Sequence, residues 1–211
     1  MESTMIKEQS FAELLLNISS KSPTPGGGTV AGMSAAVSAS LVSMVCNLTI
    51  GKNKYRHYED EMKKILAHAE KLREEFTLLA DKDAEVFNEV MKAYSLPHET
   101  EEQKNERKYA VQEATKRASL VPMDVLRRCE ALAQLCLAVV SKGNENSISD
   151  AGVAAILAYA AAQSASLNIL INLSTISDED FVAKLKTEQA RVLKIIKDIV
   201  EEAKHIVEEK L

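Results

Sequence analysis

One aspartate of this 211-residue chain lies on a helix face that is otherwise apolar. In the stretch 76-FTLLADKDAEVFNEVMKAY-94, Asp83 falls four residues after Leu79 and four residues before Phe87, which is the spacing of one helix face. Burial of a carboxylate costs hydration free energy and raises its pKa, so such a residue either finds a structural partner or transfers protons. The same spacing predicts that Asp81 faces solvent.

The stretch 23-PTPGGGTVAG-32 carries the second chemical signal. A structural turn needs one glycine, whereas three consecutive glycines leave the backbone N–H groups open to close approach. Free N–H groups at a helix start favour an anionic ligand. The stretch therefore predicts that another group comes very close to this backbone, and Thr29 is the expected cap of the following helix.

The loop 143-GNENSISDAG-152 collects hydrogen-bonding side chains at a helix start, namely Asn144, Asn146, Ser147, Ser149 and Asp150. Ser147 and Asp150 have the spacing of a capping box, which is the structural explanation for both. Recognition of a polar ligand is the alternative. Further along, Asn168 and Asn172 lie on a helix of alanine and aliphatic residues, where contacts between helices are expected to satisfy Asn172.

The segment 49-TIGKNKYRH-57 groups basic and imidazole side chains after another predicted helix: Lys52, Lys54, Arg56 and His57. Cations are favourable near a helix C-terminus, which explains them structurally. Capture of an anionic ligand is the functional explanation, and the spacing alone leaves both open.

Composition argues against several classes of protein. The chain has 31 acidic and 26 basic residues, and this negative balance argues against nucleic-acid binding. No zinc, P-loop or dinucleotide motif occurs, so we expect no metal and no permanently bound cofactor.

The three cysteines are expected to be buried free thiols. The N-terminus is unlike a signal peptide, and the most apolar run, 151–162, is too short to span a bilayer, so the protein is expected to be soluble and cytoplasmic.

Helical periodicity covers nearly the whole chain, and no segment alternates as a strand does. The sequence predicts one domain over residues 1–211 with seven helices, at 10–20, 29–50, 57–94, 101–119, 123–141, 150–173 and 179–209. Pro122 separates the fourth helix from the fifth. The predicted fold class is all-α, a bundle of long antiparallel helices. Small residues at spacings of three and four mark 29–50 and 150–173 as helices at the bundle centre or at a dimer interface.

Five stretches together resemble one family: PTPGGGTVAG (23–32), LTIGKNKY (48–55), DKDAEVFNEVMKAYSLP (81–97), VP (121–122) and GNENSISDAGVAAILA (143–158). By their order and spacing, the chain resembles a stand-alone cyclodeaminase/cyclohydrolase domain, the C-terminal half of formiminotransferase-cyclodeaminase. The resemblance extends from about Phe11 to the last helix. Thr29 and Gly32 stand where a Ser and an Ala are common in the family.

The resemblance implies a homodimer that acts on the one-carbon unit of a tetrahydrofolate derivative. One family activity, the formimidoyltetrahydrofolate cyclodeaminase, closes 5-formiminotetrahydrofolate to the 5,10-methenyl form and releases ammonia. A sister activity, the methenyltetrahydrofolate cyclohydrolase, opens the methenyl bridge with water. The first is our leading hypothesis from the sequence and the second is its alternative, because the motifs serve both.

The family motifs also imply roles for individual residues. Asp83 is the first candidate for the carboxylate that stabilises the cationic bridge or moves its proton, and Asp150 is the second. Lys52 is expected to be a proton donor or a clamp for the folate glutamate tail. The residues expected to contact the substrate are Pro25, Gly26, Gly27, Gly28, Thr29, Lys54, Tyr55, Phe87, Asn144, Asn146 and Ser149.

A non-catalytic helical dimer that binds an anionic ligand or a partner is the alternative from another class. It predicts that the glycine loop, Asp83 and Asp150 lie far apart, with Asp83 held in a salt bridge. An enzyme predicts that the three converge on one cleft at a subunit boundary.

Overall fold

The computed structural model describes residues 5–211, and within them it contains helices and no β-strand. The α-helices are α1 (Phe11–Ile18), α2 (Gly27–Thr49), α3 (Glu59–Tyr94), α4 (Glu101–Lys142), α5 (Ile148–Leu173) and α6 (Glu179–Lys210). Short 3-10 turns occupy Ile6–Glu8, Asn53–Tyr58 and Glu145–Ser147. The predicted all-α class is confirmed.

Helices α2 and α5 form the antiparallel pair at the centre of the bundle. The start of α2 faces Asn168 near the end of α5, and midway along the pair the Ser38 hydroxyl donates to the Ala154 carbonyl at 2.7 Å. The alanines that these helices direct inward are fully buried. α3 and α4 pack against α2, and α4 and α6 pack against α5. The predicted central position of the two small-residue helices is therefore confirmed.

Glycines set how closely the neighbouring helices approach this pair. A Cβ on Gly32 of α2 would lie 3.1 Å from the carbonyl oxygen of Phe76 in α3. A Cβ on Gly152 of α5 would lie 3.2 Å from the side chain of Val207 in α6. Both distances are shorter than an ordinary van der Waals contact, so the absence of a side chain allows α3 and α6 to pack at their observed positions.

The predicted break at Pro122 is wrong, because α4 continues through this residue as one helix. Pro122 has no N–H, so the Ala118 carbonyl one turn earlier has no donor in its own helix. Asn172 of α5 provides the donor, since its Nδ2 lies 3.2 Å from that oxygen. A neighbouring helix thus replaces the missing bond, and the expected helix–helix role of Asn172 is confirmed.

The predicted capping box at the start of α5 is also wrong. The helix begins at Ile148, and Ser147 precedes it with φ −114° and ψ 20°, outside the extended conformation that a capping serine adopts. Its side chain makes no capping bond, and Asp150 lies within the first helical turn. The 3-10 turn before the helix is capped instead by Asn144, whose Oδ1 accepts from the Asn146 N–H at 3.2 Å.

The cysteines and the two most apolar helices lie in the bundle interior. Cys46, Cys129 and Cys136 are buried free thiols, as predicted, and burial raises the pKa of Cys46 to about 12. By length and composition alone, α2 and the segment 145–173 could each cross a bilayer, although the uninterrupted apolar run within the second is short. In their most apolar windows, 56% of the residues in the first and 44% in the second are buried inside the bundle. Core helices of soluble proteins have the same character.

Replacement of Asn172 by leucine is expected to lower the free energy of unfolding by about 1–3 kcal/mol, because the buried Ala118 carbonyl would lose its donor. In a Pro122→Ala background the restored N–H binds that carbonyl, so the same replacement should cost less. Chemical unfolding of the four proteins measures this coupling. Equal costs in both backgrounds would contradict the assigned role of Asn172.

Candidate active site

The carboxylate of Asp83 lies directly against the start of α2. A Cβ on Gly28 would lie 2.6 Å from Asp83 Oδ2 and closer still to Oδ1, so a side chain at this position would displace the carboxylate. The helix begins at Gly27 with Gly26 as its cap residue, and the expectation that Thr29 caps it is wrong. The close approach predicted from the glycine run is therefore made by Asp83 itself.

Thr29 binds the Asp83 carboxylate through two groups. Its hydroxyl donates to Oδ2 at 3.2 Å, and its backbone N–H is a second donor. This N–H is one of the first in α2 and has no acceptor within its own helix, so Asp83 caps α2 from the neighbouring helix. Burial has the larger effect and raises the pKa of the Asp83 carboxyl above its ordinary value, while the bonds from Thr29 partly offset it. No ion pair neutralises Asp83 within residues 5–211.

A cavity of about 260 Å³ opens beside this carboxylate, between the start of α2 and helices α3, α4 and α5. It is lined by Pro23, Thr24, Gly26, Gly27, Gly28, Asp83, Val86, Phe87, Val90, Ala118, Asn168, Ile171 and Asn172. The α3 wall is apolar apart from Asp83, the α5 wall carries two amides, and the α2 wall is bare backbone. This combination suits a flat ligand with polar edges.

The site prediction missed the two amides on the α5 wall. Asn168 Nδ2 donates to the Ser164 carbonyl at 2.8 Å and lies 3.4 Å from where a Cβ on Gly27 would be. Asn172 donates to the α4 carbonyl described above. Their spacing of four residues on an otherwise apolar helix is the sequence signal that places both on one face.

Asp81 is buried, so the prediction that it faces solvent is wrong. Its side chain is 8% exposed, and Oδ1 accepts from the Ile6 N–H at 2.5 Å. The chain before α1 folds across α3 and covers a face that the helical pattern alone leaves open. Asp81 lines a small cavity together with Thr24 and Pro25, whereas Asp83 lines the neighbouring cavity together with Pro23 and Thr24.

The polar residues predicted after α2 form a second cluster, at the opposite end of that helix. Asn144 is buried, its Nδ2 donates to the Leu48 carbonyl at 3.1 Å, and its backbone N–H donates to Thr49 Oγ1 at 2.9 Å. The Tyr55 hydroxyl accepts from the Glu145 N–H at 3.0 Å. These bonds fasten the loop before α5 to the end of α2, which gives Asn144 and Tyr55 structural roles.

The charged members of this second cluster lie at its surface. Lys54 forms an ion pair with Glu145, and Asp150 is partly buried in the first turn of α5. The remaining predicted residues are exposed: Lys52, Asn146 and Ser149.

A single chain does not bring the two clusters together. Gly27 and Thr49 are the ends of α2, and at about 1.5 Å per residue they are about 33 Å apart. The expected convergence of the glycine loop with Asp83 is confirmed. Within one chain Asp150 lies away from them, at the far end of the central helix pair, so its convergence with them at a subunit boundary stays a prediction.

Comparison with known proteins identifies the family of this chain. The model of the formiminotransferase-cyclodeaminase family matches residues 10–191. The chain belongs to this family, whose members are folate one-carbon enzymes.

Two relatives and one solved structure show how the similarity is distributed. A protein of Methylorubrum extorquens named methenyltetrahydrofolate cyclohydrolase is 45% identical over 84% of this chain and 85% of its own length. The formimidoyltransferase-cyclodeaminase of Sus scrofa is 32% identical over 83% of this chain, which spans about a third (32%) of that longer protein. The crystal structure of formiminotetrahydrofolate cyclodeaminase from Thermotoga maritima superposes with a TM-score of 0.88 at 35% identity, over 97% of this chain and 98% of the other.

Alanine at position 28 is expected to destabilise the protein or displace Asp83, since its Cβ would overlap the carboxylate. Gly27→Ala is the matched control, because its Cβ would meet Asn168 only at an ordinary contact distance of 3.4 Å. We expect a loss of about 1–3 kcal/mol for Gly28→Ala and clearly less for Gly27→Ala. Chemical unfolding measures both, and equal losses would mean that Asp83 does not occupy this space.

Asp83→Asn is expected to stabilise the protein increasingly as pH rises. Burial raises the folded-state pKa of Asp83 above its unfolded value of about 3.9, so the folded protein binds this proton more tightly. The wild type therefore loses that stabilisation as pH rises from about 4 through the raised pKa, whereas the amide does not titrate. Thermal unfolding should show the gap in Tm widening over this range, with the exposed Asp60→Asn as control. A constant gap would mean that the folded pKa is ordinary.

Proposed function

We propose that this chain hydrolyses 5,10-methenyltetrahydrofolate to the 10-formyl form. The observation that carries the proposal is the Asp83 carboxylate, which no cation among residues 5–211 neutralises, in the wall of a cavity bounded by bare glycine backbone. The relative that is 45% identical over most of both chains is named for this activity. That similarity leads us to place the cyclohydrolase ahead of the cyclodeaminase, which the sequence alone had favoured.

The proposed chemistry follows from the charge of the substrate. The methenyl bridge carries a positive charge shared between N5 and N10, and a carboxylate beside the bridging carbon stabilises that charge. Water attacks the carbon while Asp83 accepts one of its protons, which gives a neutral carbinolamine. The bond from carbon to N5 then breaks as Asp83 returns a proton to N5. The hydroxyl proton leaves to solvent, and a formyl group remains on N10.

The raised pKa of Asp83 suits this exchange. A carboxyl with an ordinary pKa holds a proton only weakly near neutral pH, so it would lose the proton to water instead of returning it to N5. Burial beside the glycine backbone strengthens its hold on the proton, while Thr29 keeps the carboxylate oriented towards the cavity wall. We expect Asn168 and the backbone N–H groups at the start of α2 to bind the polar edge of the pterin ring, since both border the cavity.

The cyclodeaminase is the second candidate, favoured by the structural similarity to the Thermotoga maritima enzyme of that name. In that reaction N10 attacks the formimino carbon, and Asp83 would take the N10 proton and pass it to the departing ammonia. Both reactions require one carboxylate at the same carbon, so the geometry serves either.

The working unit that we propose is a homodimer. An exposed apolar face runs along the outer side of the central pair and includes Val37, Met44 and Leu48 of α2 with Val153 and Ile156 of α5. A second copy seated there around a twofold axis perpendicular to α2 would run antiparallel to the first. The partner's Lys52 would then approach the Asp83 cavity and serve as the proton donor that the sequence suggested.

Loss of the methenyl chromophore on mixing with 5,10-methenyltetrahydrofolate tests the activity. Asp83→Asn should lower kcat by about 10²–10⁴-fold while the protein stays folded, because it removes the proton-transfer group. Asp60→Asn, an exposed change on the same helix, should leave kcat unaltered. An unchanged rate for Asp83→Asn rules out its role, and appearance of the chromophore from 5-formiminotetrahydrofolate alone would favour the second candidate.

Subunit complementation tests the shared site. Asp83→Asn and Lys52→Ala homodimers should each be inactive, whereas reassociated mixtures should recover up to about a quarter of wild-type activity, because each mixed dimer contains one intact composite site. The control is a chain that carries both substitutions. Mixed with either single variant, it should recover no activity, because no mixed dimer then contains an intact composite site. Failure of the single variants to complement, or full activity of Lys52→Ala alone, would contradict a site built from two chains.

A further inference from the structure

Residues 5–25, which we call the strap, run from a contact on α3 to the glycine start of α2. At the α3 contact the Ile6 side chain is buried, and its backbone N–H donates to the Asp81 carboxylate at 2.5 Å. At the other end of the strap, Pro23 and Thr24 line the proposed active-site cavity. The strap therefore connects an anchor point on α3 to one wall of that cavity.

Between these two ends the strap packs loosely on the bundle. Its helix α1 buries Leu14, whereas Phe11 and Leu16 are each 70% exposed. The side-chain hydrogen bonds that shape this part of the chain join residues of the strap to one another. A cavity of about 550 Å³ lies between α1 and residues 20–25. A helix as short as α1 is marginal on its own, so it depends on the strap staying in place.

The anchor point on α3 carries an opposing cost. Asp81 Oδ2 is buried and has no hydrogen-bond partner among the residues that the structure describes. The single bond from the Ile6 N–H replaces only part of the hydration that a buried carboxylate loses. A cavity of about 160 Å³ lies beside this carboxylate, between the strap and α3. Lifting the strap would return Asp81 to water, so its desolvation opposes the closure that Ile6 favours.

The cavity at Asp83 is small for the proposed substrate while the strap is down. Its volume is about 260 Å³, whereas pockets that enclose drug-sized ligands usually have about 300–1,000 Å³. Thr24 lines both this cavity and the one beside Asp81, so the end of the strap separates the two spaces. Gly26 and Gly27 follow directly, and glycines permit the backbone rotation that a hinge requires. Movement of the strap about these glycines would enlarge the cavity.

We propose that the strap opens about Gly26 and Gly27 to admit the folate substrate and closes behind it, with Asp81 as the group that keeps closure reversible. This inference rests on the proposed folate activity for the identity of the ligand. Ile6 holds the strap down, and the uncompensated charge of Asp81 favours its release. Bound substrate adds contacts at the end of the strap and so shifts it towards the closed position.

Hydrogen exchange of the α1 amides, measured by mass spectrometry, tests the movement, because this eight-residue helix unfolds when the strap lifts. Ile6→Ala removes the buried anchor and should raise the exchange rate about tenfold. Asp81→Asn should lower it about tenfold, since the amide oxygen still accepts from the Ile6 N–H while no charge is buried. Phe11→Ala is the matched control, because Phe11 is exposed in α1 and its replacement should leave the rate nearly unchanged.

The stable analogue 5-formyltetrahydrofolate tests the coupling to the ligand, once calorimetry has established its binding. At saturation it should slow α1 exchange in the wild type about tenfold, because closure is then coupled to binding. Ile6→Ala should raise the KM for 5,10-methenyltetrahydrofolate about fivefold, since less of the enzyme is closed. Unaltered exchange of the α2 and α6 amides shows that this variant stays folded.

Three results would overturn the proposal: wild-type α1 amides that exchange as slowly as those of α2, faster exchange in Asp81→Asn, or α1 exchange that bound analogue leaves unchanged. The second would mean that the charge of Asp81 holds the strap closed. A wild type that neither converts 5,10-methenyltetrahydrofolate nor binds the analogue defeats the proposed activity instead. The exchange rates of the Ile6 and Asp81 variants then still decide whether the strap opens.

Discussion

The contact between the Asp83 carboxylate and the start of α2 determines most of what is unusual about this protein. The acid occupies the space of a side chain at position 28, so any residue other than glycine there would displace the carboxylate. It caps the helix through Thr29, which keeps the carboxylate in place, and it is buried enough that its pKa is raised. Helix capping normally favours the ionised form of an acid, whereas burial favours the neutral form. Because burial dominates here, the group is poised to exchange a proton.

Packing elsewhere in the bundle makes the contact between Asp83 and α2 possible. Gly32 lies four residues after Gly28 in α2, and its lack of a side chain lets the α3 backbone come close to α2. This close packing allows Asp83 to reach the start of α2. The far wall of the cavity depends on α4 and α5 staying in register across Pro122, where Asn172 replaces the missing donor. Gly32 and Asn172 therefore help to position Asp83, although neither is its hydrogen-bond partner.

The sequence predicted the helical class and most helix limits, because both depend on periodicity. The proximity of Asp83 to the glycines was expected only from the enzyme hypothesis, which rested on the family resemblance. The sequence did not predict a single helix through Pro122, since the compensating donor comes from Asn172, far away in the chain. Nor did it predict the burial of Asp81, which depends on the N-terminal segment folding over α3. Capping by Ser147 failed because a 3-10 turn changes its backbone conformation. Each error concerns a group whose partner is distant in sequence or whose local geometry is set by a neighbouring turn.

The protonation of Asp83 can be followed by NMR titration of its carboxyl carbon, in the free protein and with a bound cationic folate analogue. We expect the carbon of the free protein to titrate above the ordinary aspartate value of about 3.9, and the bound cation to lower this pKa. The acidic limb of kcat/KM for methenyl opening should follow the free-protein value and disappear in Asp83→Asn. An ordinary pKa that does not respond to the analogue, with an unchanged acidic limb in the variant, would show that Asp83 only caps a helix.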